Sequence, residues 1–257
     1  MKTVILCGGF GSRLGEITQL LPKPLITVGE QPLLWHIMKI YAKFGHNDFL
    51  LTLGYKGAEI KRYFMNYYAQ SSDIRIDIGK DTVEYLQKPK DNWIIDLIDT
   101  GAGTLTGGRL HRVENQLRSE GTFMLTYGDG VANVDIERLL EFHHSHGKIA
   151  TVTAVRPTSR FGSMSINRNM KVSSFREKQQ ADEGWINGGF FVFEPRIFDY
   201  LKGDSTVLEG ETMDRLVTDG ELMAFRHEGF WQCMDTIRER QFLESLWASE
   251  DAPWKVW

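Results

Sequence analysis

The sequence contains little cysteine: Cys7 and Cys233 are the only two among 257 residues. Two cysteines cannot form a disulfide framework, so we expect both to be reduced thiols in a reducing compartment. A small side chain between a strand and a glycine-rich loop explains Cys7 without redox chemistry.

Long apolar runs and an excess of positive charge are also missing. No run approaches the ~18 residues needed to cross a bilayer, and the first residues do not resemble a signal peptide. The formal net charge of -4 and the pI near 6.0 provide no basic surface for duplex nucleic acid. We therefore expect a cytoplasmic protein that binds neither membrane nor nucleic acid and holds any nucleotide in a local pocket.

The chain does contain enough apolar residues, 42% of the total, to fill one large core. Apolar runs alternate with helical periodicity, which predicts β-α-β units. We expect one α/β domain over residues 1–257, with a Rossmann-like, mixed but mostly parallel sheet flanked by helices. The first predicted elements are a strand near 2–7, a helix through Leu33 to Phe44, a strand near 48–54 and a helix at about 57–68.

Residues from about 72 to 98 interrupt this pattern. They contain three short apolar runs with little helical signal, which predict a small β insertion. Its unpaired edges favour a subunit contact in a homo-oligomer, with Trp93, Ile94 and Ile95 supplying apolar surface. The chain is predicted to close with a helix and tail at about 236–257.

The first predicted strand leads into a loop suited to binding phosphate. Gly8, Gly9 and Gly11 lack Cβ atoms, so the backbone can approach a ligand and its N–H groups can donate to phosphate oxygens. Arg13 and Lys23 add two positive charges, and a proline on each side of Lys23 restricts its backbone. An ordinary tight turn would explain the glycines, but not the added cations and prolines.

Two other phosphate-binding motifs do not fit this loop. A Walker loop needs Gly-Lys-Ser/Thr at the start of the helix, whereas Gly11 is followed by Ser12 and Arg13. A dinucleotide-binding loop needs a small residue three positions after Gly11, where Leu14 stands.

The string Gly8-Gly-Phe-Gly-Ser-Arg-Leu14, followed by Pro22-Lys-Pro24, resembles the signature of sugar-nucleotide pyrophosphorylases. Ser12 replaces the threonine of that signature and keeps its hydroxyl. Over nearly its full length the chain resembles the glucose-1-phosphate cytidylyltransferases of this superfamily. The resemblance implies a nucleotide-diphospho-sugar transferase fold, Mg²⁺ as cofactor, and CTP and a sugar 1-phosphate as substrates. It also implies catalytic roles for Arg13, Lys23 and Asp129, and a nucleotide site of Leu6, Cys7, Gly8, Gly9, Gly11, Ser12, Arg13, Lys23, Thr104, Arg109 and Gly128.

Two aspartates far apart in the sequence are candidate metal ligands. Asp129 lies between two glycines just past a predicted buried strand, where open α/β sheets bind ligands. Asp235 precedes the last predicted helix. Taken alone, Asp129 also fits a turn and Asp235 a helix N-cap. In the resembled family one aspartate from each motif holds Mg²⁺, and two carboxylates with phosphate oxygens and water suit this hard, octahedral ion.

The segment 99–112 predicts which base is bound. Its Thr106-Gly-Gly-Arg109 string resembles cytidylyltransferases, whereas thymidylyltransferases carry a glutamine and a Gly-Leu-Ala segment here. An arginine fork can donate to O2 and N3 of cytosine, but the protonated N3 of thymine would oppose it. The alternative is a glycine-rich loop with a solvated Arg109. Thr104 is expected to orient the base or the ribose.

The sugar phosphate is assigned by resemblance to two further segments. Glu177 and Lys178 resemble the family's Glu-Lys-Pro, in which lysine holds the phosphate and glutamate the hydroxyls, although Gln179 replaces the proline. Asn187 and Gly188 match the family's sugar-facing turn, and Asn187 can donate and accept hydrogen bonds. Taken alone, Asn-Gly-Gly is typical of a simple turn.

Three histidines, His143, His144 and His146, fall at the end of a predicted helix near 135–146. The dipole of a helix favours cationic side chains at this end. Since no second cluster of ligands accompanies them, we do not expect a metal there.

The resemblance implies attack of glucose 1-phosphate on the α-phosphorus of CTP, giving CDP-glucose and pyrophosphate for deoxysugar and O-antigen precursors. Two alternatives stay open: the same reaction with dTTP, UTP or another sugar 1-phosphate, and a non-catalytic nucleotide-sensing subunit. The presence of Arg13, Lys23, Asp129 and Asp235 together favours an enzyme.

Overall fold

The structure, a computed structural model, describes residues 1–11, 15, 18, 20–87, 91–157, 163–166, 171–176 and 184–257. A seven-stranded sheet runs through its centre. Its strands are β1 (Thr3–Cys7), β4 (Asp48–Leu53), β7 (Ile94–Asp99), β8 (Phe123–Tyr127), β10 (Ala150–Val155), β13 (Ile186–Phe193) and β14 (Leu222–His227). They lie in the order β14-β10-β13-β8-β1-β4-β7, and only β13 is antiparallel to its neighbours. The predicted mixed, mostly parallel sheet is confirmed.

Helices and short strand pairs surround this sheet. The helices are α1 (Leu33–Lys43), α2 (Gly57–Met65), α3 (Tyr67–Ser71), α4 (Thr106–Arg112), α5 (Glu114–Leu117), α6 (Ile136–His146), α7 (Met213–Thr218) and α8 (Ile237–Ala248). The strand pairs are β2 (Thr27–Val28) with β3 (Gln31–Pro32), β5 (Ile74–Asp77) with β6 (Thr82–Tyr85), β9 (Gly130–Ala132) with β15 (Trp231–Cys233), and β11 (Ser163–Ile166) with β12 (Val172–Arg176). None of the helices in the described part of the chain has the length and apolarity to cross a bilayer.

The core has two halves, one on each face of the sheet. Along β1 the side chains alternate between them: Ile5 joins one buried cluster, whereas Val4 and Leu6 join the other. The first cluster includes the apolar stripe of α1, as its helical spacing predicts, and the second includes Leu110 of α4. Burial on both faces explains why β1 is an unbroken apolar run.

The predicted β insertion is shorter than expected. Two of its runs form the β5–β6 hairpin, but the third is β7, the edge strand of the main sheet, parallel to β4. Trp93 and Ile95 pack against the core, whereas Ile94 is 64% exposed. Trp93 and Ile95 are therefore partly used by the fold itself, which corrects their assignment as free contact surface.

The histidines at the end of α6 also differ from expectation. The helix begins after Asp135, whose side chain accepts from Arg138 N, and ends at His146 as predicted. His143 is buried and its Nδ1 lies 2.8 Å from Thr151 Oγ1. Burial lowers the pKa of both His143 and His146. These two side chains are therefore neutral groups of the α6–β10 contact near pH 7, not cations that complement the helix dipole.

Candidate active site

A cavity of about 460 Å³ opens where the parallel strands β1 and β8 end. This is the edge at which open α/β sheets bind ligands. All the predicted nucleotide and metal residues that the structure describes line it: Leu6, Cys7, Gly8, Gly9, Gly11, Lys23, Thr104, Arg109, Gly128, Asp129 and Asp235. Ser12, Arg13, Glu177 and Lys178 lie outside the described residues.

Glycine is favoured at positions 8, 9 and 11 of the loop for three different structural reasons. A Cβ at Gly8 would lie 2.0 Å from Arg109 Cζ, so Gly8 makes room for that side chain. Gly9 has no heavy atom within 4 Å of its Cβ direction and leaves its backbone open to a ligand. Gly11 has φ of +62°, in the left-handed region that favours glycine. Close approach to a ligand thus fits Gly9, whereas Gly8 accommodates a protein side chain.

Asp129 and Asp235 are brought together by the β9–β15 strand pair. Gly130 pairs with Cys233 in that pair, and Met234 N donates to Asp129 O at 2.8 Å. Lys23 Nζ then donates to both carboxylates, to Asp129 at 2.8 Å and to Asp235. Three residues separated by more than a hundred positions therefore form one charged cluster.

Asp235 is not the N-cap of the last helix. Thr236 caps α8: its side chain accepts from Glu239 N at 3.2 Å, and Glu239 Oε2 accepts from Thr236 N at 2.9 Å. This capping box satisfies the free N–H groups at the start of the helix. The carboxylate of Asp235 faces the cavity and pairs with Lys23 instead.

The two aspartates of this cluster keep Lys23 positively charged. Burial alone would lower the pKa of Lys23, but the two aspartates outweigh it and raise the pKa above its ordinary value. Lys23 is therefore an ammonium group at neutral pH. The two carboxylates keep 37% and 31% of their side-chain surface exposed. Hard oxygen donors that converge on one cation and remain accessible fit a Mg²⁺ ion that also takes phosphate oxygens and water.

Arg109, on α4, also lines the cavity. Its side chain is almost fully buried, and burial lowers the pKa of the guanidinium. The fork donates at 2.8 to 3.4 Å to five acceptors: Gly8 O, Leu53 O, Thr100 Oγ1, Gly101 O and Ala102 O. Arg109 is thus not the solvated side chain of the alternative interpretation. The two terminal nitrogens expected to face cytosine are directed at protein acceptors, and base recognition by Arg109 stays a prediction.

A second cavity, about 230 Å³, lies beside the two aspartates. Gly188 lines it, and Trp231 Nε1 donates to Gly188 O at 2.7 Å. Asn187 and Gly188 are not in a turn, as the Asn-Gly-Gly string suggests, but within strand β13. An irregularity in the β10–β13 register falls there, and Gly189 has φ of +78°. A bulge changes the direction in which the side chains of a strand point. The local sequence does not distinguish such a bulge from a turn.

Sequence reasoning missed several residues of these cavities, among them Tyr127, Glu209 and Trp231. Tyr127 and Trp231 immediately neighbour motifs that were recognised, so proximity could have found them. Glu209 lines the larger cavity and lies in the kinked turn Leu208–Thr212, outside every motif named above. No local pattern marks it.

Comparison with known proteins adds independent findings. The profile of one family, described as nucleotidyl transferase, matches residues 2–238. A glucose-1-phosphate cytidylyltransferase from Salmonella typhimurium is 48% identical over 257 residues, covering 100% of both proteins. A probable glucose-1-phosphate cytidylyltransferase from Bacillus subtilis is 44% identical over 258 residues, again with 100% of both covered. The fold is similar to that of a putative glucose-1-phosphate thymidylyltransferase from Bacillus anthracis, with a TM-score of 0.69, 19% identity, and 98% of this chain and 95% of that chain covered.

Proposed function

Because the chain belongs to the nucleotidyl transferase family, we propose that it transfers the cytidylyl group of CTP to α-D-glucose 1-phosphate, forming CDP-glucose and pyrophosphate. The observation that carries this proposal is the full-length similarity to two proteins named for that activity. The cavity supports it, since its lining combines a lysine–carboxylate cluster with a glycine-rich loop, and both suit the phosphates of a nucleoside triphosphate. CDP-glucose formed here would serve deoxysugar and O-antigen precursor synthesis.

The proposed chemistry requires alignment and charge neutralisation rather than a general base. A phosphate monoester has a second pKa near ~6, so the attacking oxygen of glucose 1-phosphate is already anionic at neutral pH. That oxygen forms a bond to the α-phosphorus of CTP, and the bond to the β-phosphate oxygen breaks as pyrophosphate leaves with the electron pair. Lys23 and Arg13 would offset the repulsion between the two anions.

We assign Mg²⁺ to Asp129 and Asp235. The support is their shared contact with Lys23, which shows that both carboxylates reach one cation. When bound, the ion would neutralise phosphate charge and orient the reacting groups. Glucose 1-phosphate is assigned to the smaller cavity, which Gly188 lines. Asn187 does not line this cavity but donates to Tyr127, which does. Glu177 and Lys178 would contribute by family resemblance.

A pyrophosphate-release assay over a matrix of substrates tests the proposal. CTP, UTP and dTTP are each combined with the 1-phosphates of glucose, galactose and mannose, with Mg²⁺ present and then removed by EDTA. We expect the highest kcat/KM for CTP with glucose 1-phosphate, and loss of turnover with EDTA that Mg²⁺ restores. A higher value with UTP or dTTP would establish a different base specificity. CTP binding without turnover for any pair would establish a nucleotide-sensing subunit.

We also propose that the chain forms a homo-oligomer through the β5–β6 hairpin. The register pairs Ile74 with Tyr85 and Ile76 with Val83 on one face, and these four side chains are 40 to 57% exposed. Polar pairs such as Arg75 with Glu84 occupy the other face. An isolated two-stranded hairpin is marginally stable, so a second copy that covers the apolar face would stabilise it.

A cytoplasmic location completes the proposal. Cys7 and Cys233 are both free. Burial raises the pKa of both thiols, that of Cys233 to about 12, so each is a protonated thiol at neutral pH. Free thiols, of which Cys7 is buried and Cys233 partly buried, suit a reducing compartment.

A further inference from the structure

The ring of Tyr127 separates the two cavities. It lines both the nucleotide cavity and the smaller cavity beside Trp231. A Cβ at Gly189 would lie 2.6 Å from Tyr127 Cδ2, so the bulged strand β13 packs tightly against the ring on one side. Phe191 makes an edge contact at 5.7 Å between ring centroids. A shift of this ring would therefore change the lining of both cavities, which Asp129 and Asp235 also share.

A directed chain of hydrogen bonds holds the hydroxyl of Tyr127. Asn187 Nδ2 donates to Tyr127 Oη at 3.0 Å, and Tyr127 Oη donates to Glu209 Oε1. The amide of Asn187 is oriented by Gly189 N, which donates to Asn187 Oδ1 at 2.8 Å. The direction of each hydrogen bond is fixed, because a carboxylate only accepts and an amide nitrogen only donates.

Glu209 ends this chain of hydrogen bonds on the nucleotide side. Its second oxygen, Oε2, accepts from Thr106 Oγ1 at 2.6 Å, and Thr106 Oγ1 accepts in turn from Leu208 N at 2.9 Å. Thr106 is the first residue of α4, the helix that carries Arg109. Glu209 itself lies in the turn Leu208–Thr212 before α7, where the backbone is kinked at Gly210. The chain thus runs from the helix beside the nucleotide cavity to the strand beside the smaller cavity.

We propose that Glu209 is a positioning residue, which acts through Tyr127 to align the nucleotide and the sugar phosphate with each other. This inference rests on the proposed function, since it assigns the two cavities to the two substrates. Glu209 accepts from Tyr127 and Thr106 at once and so locks the wall between the cavities to α4. In-line attack between two separately bound substrates depends on such alignment, and a displacement of about 1 Å can cost roughly a hundredfold in rate.

The Glu209→Gln variant tests this role, because glutamine has the size of glutamate and lacks only one of its two acceptor oxygens. Its NH₂ group would face either Tyr127 or Thr106. The facing hydroxyl already accepts a hydrogen bond, from Asn187 or from Leu208, and would lose the acceptor for its own proton. Glu209→Gln therefore reverses one link and leaves one hydroxyl proton without its acceptor, but it leaves no cavity. Tyr127→Phe breaks the chain at its centre by the loss of one oxygen atom.

The matched control is Glu211→Gln, two residues further along the chain. Glu211 is exposed and pairs with Lys202 on the surface. We expect Glu211→Gln to equal the wild type. We expect Glu209→Gln and Tyr127→Phe each to lower kcat about tenfold or more and to raise the KM of both CTP and glucose 1-phosphate, with unchanged circular dichroism. The double variant should be no worse than about twofold below the more impaired single variant, since both act through one chain.

Calorimetric titration with CTP alone keeps the test independent of turnover. Loss of one hydrogen bond at the cavity wall should weaken CTP binding about fivefold in Glu209→Gln relative to Glu211→Gln. A wild-type protein that binds CTP but forms no CDP-glucose would refute the proposed function. The comparison of CTP affinities between Glu209→Gln and Glu211→Gln would still test the role of Glu209. Three results would each overturn the positioning role. Glu209→Gln could equal the control in turnover and CTP affinity, only one of the two KM values could change, or the losses could be additive in the double variant.

Discussion

The guanidinium of Arg109 joins backbone segments that are distant in the sequence. Gly8 follows β1, Leu53 ends β4, and Gly101 follows β7, and each presents a carbonyl oxygen to this one side chain. A Cβ at Gly54 would lie 2.4 Å from Arg109 Nη1, so the backbone approaches the fork closely there too. Arg109 therefore organises the strand ends that surround the larger cavity.

Arg109→Ala separates this structural role from base recognition. Removing this buried side chain takes a donor from five acceptors and leaves the space between three strand ends empty, at a cost of about 3 kcal/mol or more. The melting temperature should therefore fall by on the order of 10 °C. If Arg109 also reads cytosine, the KM for CTP should rise strongly and discrimination against UTP should shrink about tenfold or more. Thermal melts and kcat/KM for both nucleotides measure the two effects.

Arg112→Ala is the control on the same helix. Arg112 is exposed and its Nε donates to Asp204 at 2.7 Å, so its removal should change neither melting temperature nor specificity appreciably. An Arg109→Ala variant whose CTP/UTP ratio is unchanged would contradict base recognition by this residue. A melting temperature equal to that of Arg112→Ala would contradict the structural role.

The two aspartates of the charged cluster are expected to act as a unit. Asp129→Asn and Asp235→Asn should each lower kcat by roughly two to four orders of magnitude, because either change would remove a ligand of the proposed Mg²⁺. Both should weaken Mn²⁺ binding measured by calorimetry in the presence of CTP. The double variant should be little worse than either single one. Additive losses in kcat would show separate roles for Asp129 and Asp235.

Among the elements, α1 is joined to the C-terminal tail through a buried histidine. His36 Nε2 donates to Val28 O at 2.9 Å, and its Nδ1 accepts from Trp254 Nε1 at 3.3 Å. The ring also makes edge contacts with Trp35 and Trp247. Since one nitrogen donates and the other accepts, this packing requires the neutral imidazole.

The fold should consequently lose stability in mild acid. Burial lowers the pKa of His36 to about 4, against about 6.5 when unfolded. Between these values the unfolded chain binds the extra proton, so the contribution is full above pH 6.5 and is lost as the pH falls toward 4. The loss from His36 between pH 7 and pH 5 is about 2 kcal/mol. Urea unfolding at the two pH values measures it.

Substitution identifies the contribution of His36 to this pH dependence. His36→Phe should be less stable at pH 7, because Val28 O and Trp254 Nε1 lose their partner. Its decrease in unfolding free energy between pH 7 and 5 should be smaller than that of the wild type by about 2 kcal/mol. His144→Gln, at an exposed position, should leave the decrease unchanged. Equal pH dependence in His36→Phe and the wild type would show that other groups dominate.

For the whole molecule, the β5–β6 hairpin predicts how copies of the chain associate. Ile76→Thr with Val83→Thr removes apolar contact from one face while keeping β-branched residues that favour strands. Sedimentation velocity should then show smaller assemblies than the wild type, with unchanged circular dichroism. Arg75→Thr with Glu84→Thr changes the opposite face and should not alter the assembly. A wild-type chain that sediments as a monomer would refute the contact.

Much of the fold could be predicted from the sequence because it depends on local patterns. The apolar spacing of α1, the run that forms β1 and the Gly-Asp-Gly turn after β8 each lie within a few consecutive residues. Backbone periodicity and glycine conformation act over that range, so these elements lie where the sequence predicts them. The loop and turn motifs likewise indicated the family, and the aspartates and Lys23 meet in one cavity.

Other features depend on how distant segments pack, which no local pattern records. The third apolar run of the insertion joined the main sheet as β7 because β4 offered an unpaired edge for a parallel strand. Asp235 faces Lys23 because the β9–β15 pair carries it there and Thr236 caps the helix. The partners of Arg109 and the link from Glu209 to Tyr127 join residues separated by up to 101 positions. Such contacts follow from the strand order and the packing of whole elements, so only the folded chain reveals them.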